Sequence, residues 1–161
     1  TNEAVAEGQY PFYVRSQVPL RIDRYEFNEA AVLTAGDGVG VGKVFHFVEG
    51  PYALHQRAYR IVVKRNDLLP RFLFHYIRHD FPRYLASTSV HASVTSLRRP
   101  MFEKYPVPLP TMQDQVRIAE SLDRFDVLLT DLTIGLPAEL AARRRQYEYY
   151  RDKLLTFEEK R

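Results

Sequence analysis

The glycine-rich run at residues 36–42 is the first stretch whose residue types could do chemistry, because backbone without side chains can approach a phosphate closely. The run lacks the Gly-Lys-Ser/Thr ending of a nucleotide-binding loop, and it lies between two strand-like segments instead of opening a helix. We therefore predict a glycine-rich hairpin. The hairpin either supports a sheet or brings bare backbone close to a nucleic-acid phosphate, and Lys43, directly after it, suits the second role.

Three other patterns resemble catalytic or metal sites but lack essential parts. His75 and His79 stand four apart on a predicted helix, with no glutamate between them and no evident third ligand. Residues 80–84 depart from the Asp-Pro-Pro-Tyr motif of amino-methyltransferases, and the Glu-x-Lys at 158–160 lacks a preceding catalytic aspartate. The chain has no cysteine, which excludes a thiol nucleophile, a thiolate zinc site and a disulfide framework. We therefore expect that the chain is not an enzyme and that it binds no metal or cofactor of its own.

Arginine and short polar side chains remain as candidates for recognition. The first 110 residues hold 14 Lys and Arg against 10 Asp and Glu, so the excess of positive charge lies in that part. Arginine can pair with guanine and glutamine with adenine, while Ser and Thr reach bases or phosphates. Any polar surface shares this composition, so DNA recognition is one alternative at this point. The candidate residues are Ser16, Gln17, Lys43, Gln56, Arg57, Ser93, Thr95, Ser96, Arg98 and Arg99.

The elements that must position these residues are short strands followed by helices. Segments at 10–15, 31–35, 43–48 and 59–63 are rich in aromatic and β-branched residues and predict a small, mostly antiparallel sheet. Asn66-Asp67 offers a helix cap, and apolar residues follow at helical spacing up to a break near Pro82. Residues 87–99 read as an exposed polar loop. The predicted fold class is α+β, with helices packed on the sheet.

The last third of the chain predicts a helical spacer. Pro106, Pro108 and Pro110 separate a domain at 1–110 from a helical region at 111–161. Thr111 and Asp114 form a capping box, and the apolar residues of the first helix repeat with a period of 3.5. That narrow apolar seam consists of Ile118, Leu122, Phe125, Leu129 and Leu132.

A second helix of the same rhythm is predicted after a break at Gly135 and Pro137. Two helices with narrow seams bury little by themselves, so a coiled-coil-like spacer needs a partner. Tyrosine and arginine are enriched at interface hot spots. The predicted subunit-interface residues are Leu140, Arg144, Tyr147, Tyr149, Tyr150 and Leu154.

Length and hydropathy bound these expectations. A chain of 161 residues suffices for one domain and an appendage. No apolar run approaches the roughly 20 residues that span a bilayer, and the first residues do not resemble a signal peptide. We expect a soluble cytoplasmic protein that does not contact a membrane.

Taken in order, these segments resemble the target recognition domain and spacer of the specificity subunit of Type I restriction-modification enzymes. The resemblance rests on the blocks at 9–17, 35–46 and 55–57, on Ser93 to Pro100, on Val107-Pro108-Leu109-Pro110, and on 146–151. It covers nearly the whole chain.

The resemblance implies a non-catalytic, sequence-specific DNA-binding subunit. Modification subunits, which carry the S-adenosylmethionine site, and restriction subunits would join it on double-stranded DNA. Lys43, Arg57, Arg98 and Arg99 would then neutralise phosphates. The remaining candidates would contact or position bases.

The family implies two recognition domains per subunit, whereas this chain has one domain and one spacer. We expect half a subunit, either a natural half-length protein or a fragment. Two copies paired through their helices would read a palindromic bipartite target. The alternative is a coiled-coil adaptor that binds protein instead of DNA.

Overall fold

The computed structural model describes residues 3–88, 96–135 and 145–146. The chain divides into two compact units, Thr1–Ala119 and Glu120–Arg161. The helices are α1 (Pro70–Thr88), α2 (Arg99–Glu103) and α3 (Met112–Gly135). The strands are β1 (Tyr10–Tyr13), β2 (Leu20–Ile22), β3 (Phe27–Asn28), β4 (Ala31–Ala35), β5 (Phe45–Val48), β6 (Pro51–Leu54) and β7 (Ala58–Ile61). No described helix is both long and apolar enough to cross a bilayer.

The strands form two small sheets, and the α+β fold class is confirmed. One sheet has the order β2-β1-β6-β3 and the other β5-β4-β7. Every pairing is antiparallel except that of β1 with β6, which is parallel. The sequence patterns did not predict strands β2, β3 and β6. The first two have three and two residues, too few to show alternation, and β6 begins with a proline.

The main core lies between the second sheet and α1. All five residues of β4 are buried, as expected for the central strand of three. Helix α1 covers this sheet with a stripe at helical spacing that includes Phe74, Ile77, Phe81 and Leu85. This packing keeps the ends of β4 and β7 in a fixed position.

The prediction that the helix ends near Pro82 is wrong, because α1 continues through this proline to Thr88. A proline inside a helix costs about 3 kcal/mol. Burial of a large apolar side chain contributes about 1.5–3 kcal/mol. Phe81 and Leu85, on either side of the proline, are both buried, and together they offset its cost. The start also differs, since Asn66-Asp67 lies in a turn and the helix begins at Pro70.

The predicted cap of α3 is confirmed. The Asp114 N–H donates to Thr111 Oγ1 at 3.2 Å, and the Thr111 hydroxyl donates to Asp114 Oδ2 at 2.8 Å. Of the predicted seam, Ile118 is half-buried, while Leu122 is 38% and Phe125 61% exposed. The predicted second helix lies outside the described residues apart from 145–146.

A buried amide fastens the first turn of α3 to the loop before α1. Gln115 has no exposed surface. Its Oε1 accepts from the Leu69 N–H at 2.7 Å, and its Nε2 donates to Asp67 O at 2.8 Å and Pro110 O at 2.9 Å. One side chain thus satisfies three main-chain groups, two in the loop before α1 and one directly before α3.

Candidate nucleic-acid interface

Two parallel strands end at the same edge of the first sheet. Tyr13 pairs with Leu54 in the last register position of β1 and β6. Arg15 follows β1 by two residues and His55 follows β6 directly, and the His55 N–H donates to Tyr13 O at 2.9 Å. The parallel pairing therefore places Arg15 and His55 side by side.

The edge of the second sheet meets them through the short turn 55–57, which connects β6 to β7. The Ala58 N–H donates to His55 O at 2.9 Å and closes this turn. Ala58 also pairs with Ala35, the last residue of β4. The residues that follow β4 therefore lie beside the turn, where the two sheets adjoin.

Asp37 joins these segments electrostatically. Its Oδ1 accepts from Arg15 Nη1 at 2.8 Å, and its Oδ2 accepts from Arg57 Nη1 at 3.4 Å. The three residues come from the ends of β1 and β4 and from the β6–β7 turn. One carboxylate thus holds two guanidinium groups from distant parts of the sequence.

Gly36 allows the backbone to come this close. Its N–H donates to Arg57 O at 2.8 Å, and its own carbonyl accepts from the Leu97 N–H at 2.7 Å. A Cβ on Gly36 would lie 2.7 Å from Arg57 O, a distance that real Cβ atoms do not show. Glycine is therefore required here for close approach. The run at 36–42 connects antiparallel β4 and β5, as predicted for a hairpin.

The polar segment before α2 reaches the same place. Ser96 forms an isolated antiparallel bridge with Asp37, and a small cleft is lined by Asp37, Gln56, Arg57 and Ser96, among others. One neighbouring cleft shares Gln56 with this one and another shares Asp37, and His55 lines both of those neighbours. These segments together form a strand-end cluster, which consists of Arg15, Asp37, His55, Gln56, Arg57 and Ser96.

Further polar residues continue the surface beside Arg15. Ser16 lines a cleft with Arg15 and Asp37. The Gln17 amide donates to Lys43 O at 3.1 Å, and His46 Nε2 lies 3.0 Å from Ser16 O. The Ser16 hydroxyl donates to a nearby carbonyl. Gln17 and Ser16 thus help to hold this surface in place.

Of the other predicted DNA contacts, two lie at the start of α2 and two lie outside the described residues. Arg98 is the exposed N-cap of α2, directly after Leu97. Arg99 is highly exposed and pairs with Glu103 at 2.8 Å along the helix. Ser93 and Thr95 lie outside the described residues. So do the predicted subunit-interface residues Leu140, Arg144, Tyr147, Tyr149, Tyr150 and Leu154.

His55 is held neutral within the cluster. Burial first, and then nearby positive charges including Arg15 and Arg57, lower the pKa of His55. The Arg57 N–H donates to His55 Nδ1 at 3.2 Å. This bond requires an unprotonated Nδ1, so the neutral ring carries its proton on Nε2.

Arg15, Asp37 and His55 belong to the cluster, although sequence reasoning did not select them as site residues. Arg15 ends a predicted strand, Asp37 closely follows another, and His55 belongs to a polar block between strands. Polar side chains at strand ends are the signal that could have identified them. The predicted Ser16, Gln17, Lys43, Gln56, Arg57 and Ser96 lie in or beside the cluster.

Neither histidine of the 75/79 pair belongs to this surface. His75 is 4% exposed and its ring contacts Phe74, whereas His79 is exposed on α1. Within residues 3–88, 96–135 and 145–146, no group of three or more His, Cys, Asp or Glu could hold a metal ion. The chemistry that the cluster offers is hydrogen bonding and positive charge.

Comparison with known proteins identifies related chains. The chain is 34% identical over 111 residues to the Escherichia coli Type I restriction enzyme EcoR124I/EcoR124II specificity subunit, covering 68% of this chain and 27% of that protein. It is 29% identical over 170 residues to a putative Haemophilus influenzae type I restriction enzyme specificity subunit, covering 97% and 43%. The chain thus spans less than half the length of these two relatives.

Solved structures show the same fold. The S subunit of a Type I restriction-modification system from M. genitalium superposes with a TM-score of 0.63 at 15% identity, covering 99% of this chain and 41% of that one. The HsdS subunit of Thermoanaerobacter tengcongensis gives 0.57 at 15% identity, covering 95% and 39%. The family described as the Type I restriction modification DNA specificity domain matches residues 1–142. The chain therefore belongs to the family of Type I restriction-modification DNA specificity domains.

Proposed function

We propose that this chain selects the DNA target of a Type I restriction-modification complex, and that the strand-end cluster faces the DNA. The observation that carries the proposal is the meeting of two arginines, an amide and a hydroxyl at one edge where the sheets adjoin. Its family membership supports this function over the adaptor alternative.

The chemistry of the cluster fits a duplex. Arg15 and Arg57 offer planar donor groups, which suit phosphate oxygens or the O6 and N7 of guanine. The Gln56 amide suits adenine, and Ser96 reaches either a base or a phosphate. Lys43 adds a charge on the adjacent surface. The candidate DNA contacts from sequence are retained as a proposal, with Arg15 added to them.

The chain would act without catalysis of its own. The methyl donor S-adenosylmethionine and the reacting base would lie on a modification subunit, and restriction subunits would join the full complex. The expected role of this chain is to place those subunits on a chosen sequence in the cytoplasm.

The helical region would set the distance between two recognition domains. Helix α3 has 24 residues and is about 36 Å long at ~1.5 Å per residue. This is close to the ~34 Å between successive major-groove faces. Leu122 and Phe125 are apolar and exposed on α3, and a partner helix would bury them. A homodimer would then read a palindromic bipartite target, and sedimentation showing only monomer at tens of micromolar would refute the dimer.

DNA binding by the full chain, alone and with a matching modification subunit, tests the main proposal. Binding to a randomised duplex pool is measured between about 50 and 200 mM salt, and the bound DNA is sequenced. We expect selective binding that weakens steeply with salt. Absence of any sequence enrichment in both preparations would refute the function.

Two arginines provide a matched pair of variants. Arg57 and Arg65 are similarly exposed, at 57% and 61%, and each pairs with an aspartate. Only Arg57 belongs to the cluster. Arg57→Ala should weaken binding by about 1–3 kcal/mol for a guanine contact, or lower the salt slope by about 1 for a phosphate contact. Equal binding by Arg57→Ala and Arg65→Ala at every salt concentration would remove Arg57 from the interface.

A further inference from the structure

The acidic residue in the strand-end cluster is unexpected on a surface that binds a polyanion. Asp37 lies between Arg15 and Arg57 and neutralises one of their two charges. If tight attraction to phosphates were the only requirement, a neutral residue at this position would serve better, because each positive charge adds to the salt-dependent affinity.

Folding stability does not account for Asp37. The side chains of Arg15 and Arg57 are 45% and 57% exposed, and that of Asp37 is 30% exposed. Exposed ion pairs of this kind contribute little to stability. A main-chain bond from Gly36 to Arg57 already connects the Asp37 segment to the β6–β7 turn.

The geometry suits a fixed template for two guanidinium groups. The backbone of Asp37 is held by the bridge to Ser96 on one side, and Gly36 precedes it with both its N–H and its carbonyl bonded. Each carboxylate oxygen accepts from a different arginine. A guanidinium carries five N–H groups, so each arginine retains donors for a further acceptor while its orientation is restricted. Restricting a donor before binding lowers the entropy lost when it contacts a base.

We propose that Asp37 is a positioning residue that sets sequence discrimination by orienting Arg15 and Arg57, while it lowers the affinity for DNA in general. The inference rests on the proposed DNA-binding function and deepens it. Without the carboxylate, both arginines can reorient toward any nearby phosphate. The affinity for DNA of any sequence therefore rises, and the preference for the target sequence falls.

The test compares Asp37→Asn with Asp67→Asn in the full chain with a matching modification subunit. Asp67 is a matched control, because it also pairs with an exposed arginine, Arg65, outside the cluster. The DNA duplexes are the one most enriched from a random pool by the unsubstituted protein and a scrambled version of it. For Asp37→Asn we expect the ratio of the two affinities to fall at least fivefold, since one oriented arginine–guanine contact discriminates by about 5- to 150-fold. Affinity for the scrambled duplex should stay equal or rise, with a salt slope steeper by up to about 0.9.

A merely structural role gives a different result. If Asp37→Asn only disturbed the fold, affinity for both duplexes would fall together with the melting temperature, which would overturn the proposal. An unchanged ratio would also overturn it. Asp37→Glu keeps the charge but moves the oxygens by one methylene, so discrimination should fall while the salt slope stays constant.

A background without the two arginines distinguishes a positioning role of Asp37 from direct contact between Asp37 and a base. In a chain that already carries Arg15→Ala and Arg57→Ala, Asp37→Asn should change the ratio less than twofold. A further loss in that background would mean that Asp37 itself contacts DNA, and would overturn the positioning role. If the unsubstituted protein selects no sequence at all, the proposed function fails first, whatever Asp37 does.

Discussion

Gln115→Ala should destabilise the first compact unit by about 3 kcal/mol, because the three hydrogen bonds of its amide contribute about 1 kcal/mol each. Because the side chain has no exposed surface, the three main-chain groups that lose their hydrogen-bond partner in the alanine variant cannot readily bond to water instead. At about 4 °C per kcal/mol for a unit of this size, the melting temperature should fall by about 12 °C.

Gln115→Glu should be more destabilising than the alanine variant. The Nε2 of Gln115 donates to the carbonyl oxygens of Asp67 and Pro110, and glutamate would place a carboxylate oxygen there. That oxygen would face two acceptors and no donor, so the buried charge would lose hydration that the single Leu69 N–H cannot replace.

Denaturant unfolding, followed by circular dichroism, measures these differences through the transition midpoint. Gln113→Ala is the control, since Gln113 is exposed on the same helix two residues earlier. Its expected effect is below about 0.5 kcal/mol. A Gln115→Ala effect within about 1 kcal/mol of that control would refute the view that this amide fastens α3 to the loop before α1.

Two further predictions concern pH. The pKa of His55 is lowered by burial and by nearby positive charges, so its contribution to stability is complete above its unfolded pKa of about 6.5 and is lost as pH falls through the lower folded value. The unfolding free energy of the unsubstituted protein should therefore decline more than that of His55→Gln between about pH 8 and 5, and parallel profiles would contradict this. Burial, with the Glu29 charge, raises the pKa of Tyr52 from 10.0 to about 12. Stability should fall as pH rises through this interval, and less so in Tyr52→Phe, as measured by denaturant midpoints at alkaline pH.

Local patterns predicted those parts of the fold that depend on neighbours in sequence. The strand at 31–35 matches β4, and Thr111 caps α3 through Asp114 as a capping box predicts. Family membership also followed from the order of short motifs along the chain. Each of these features can be recognised within a few residues of sequence.

Features that depend on distant contacts were not predictable in this way. The continuation of α1 through Pro82 depends on a sheet that buries Phe81 and Leu85. Gln115 is a polar residue in a helix, and its burial depends on carbonyls near Asp67 and Pro110. Local spacing contains no signal for either contact.

The candidate site was found in part for the same reason. A search for positive and amide side chains selects Arg57 and Gln56, but it passes over an acid such as Asp37. That Arg15 meets Asp37 follows from the register of β1 with β6 and from the adjoining second sheet. Sequence spacing does not reveal this register.

The parallel pairing of β1 with β6 has a consequence for folding. Residues 14–50, which include β2 to β5, separate the two strands, so their contact has a high contact order and should form slowly. The bridge from Asp37 to Ser96 requires still later residues. A chain still emerging from the ribosome therefore has its arginines but not their arrangement, and the complete strand-end cluster exists only after residues up to Ser96 have folded into place.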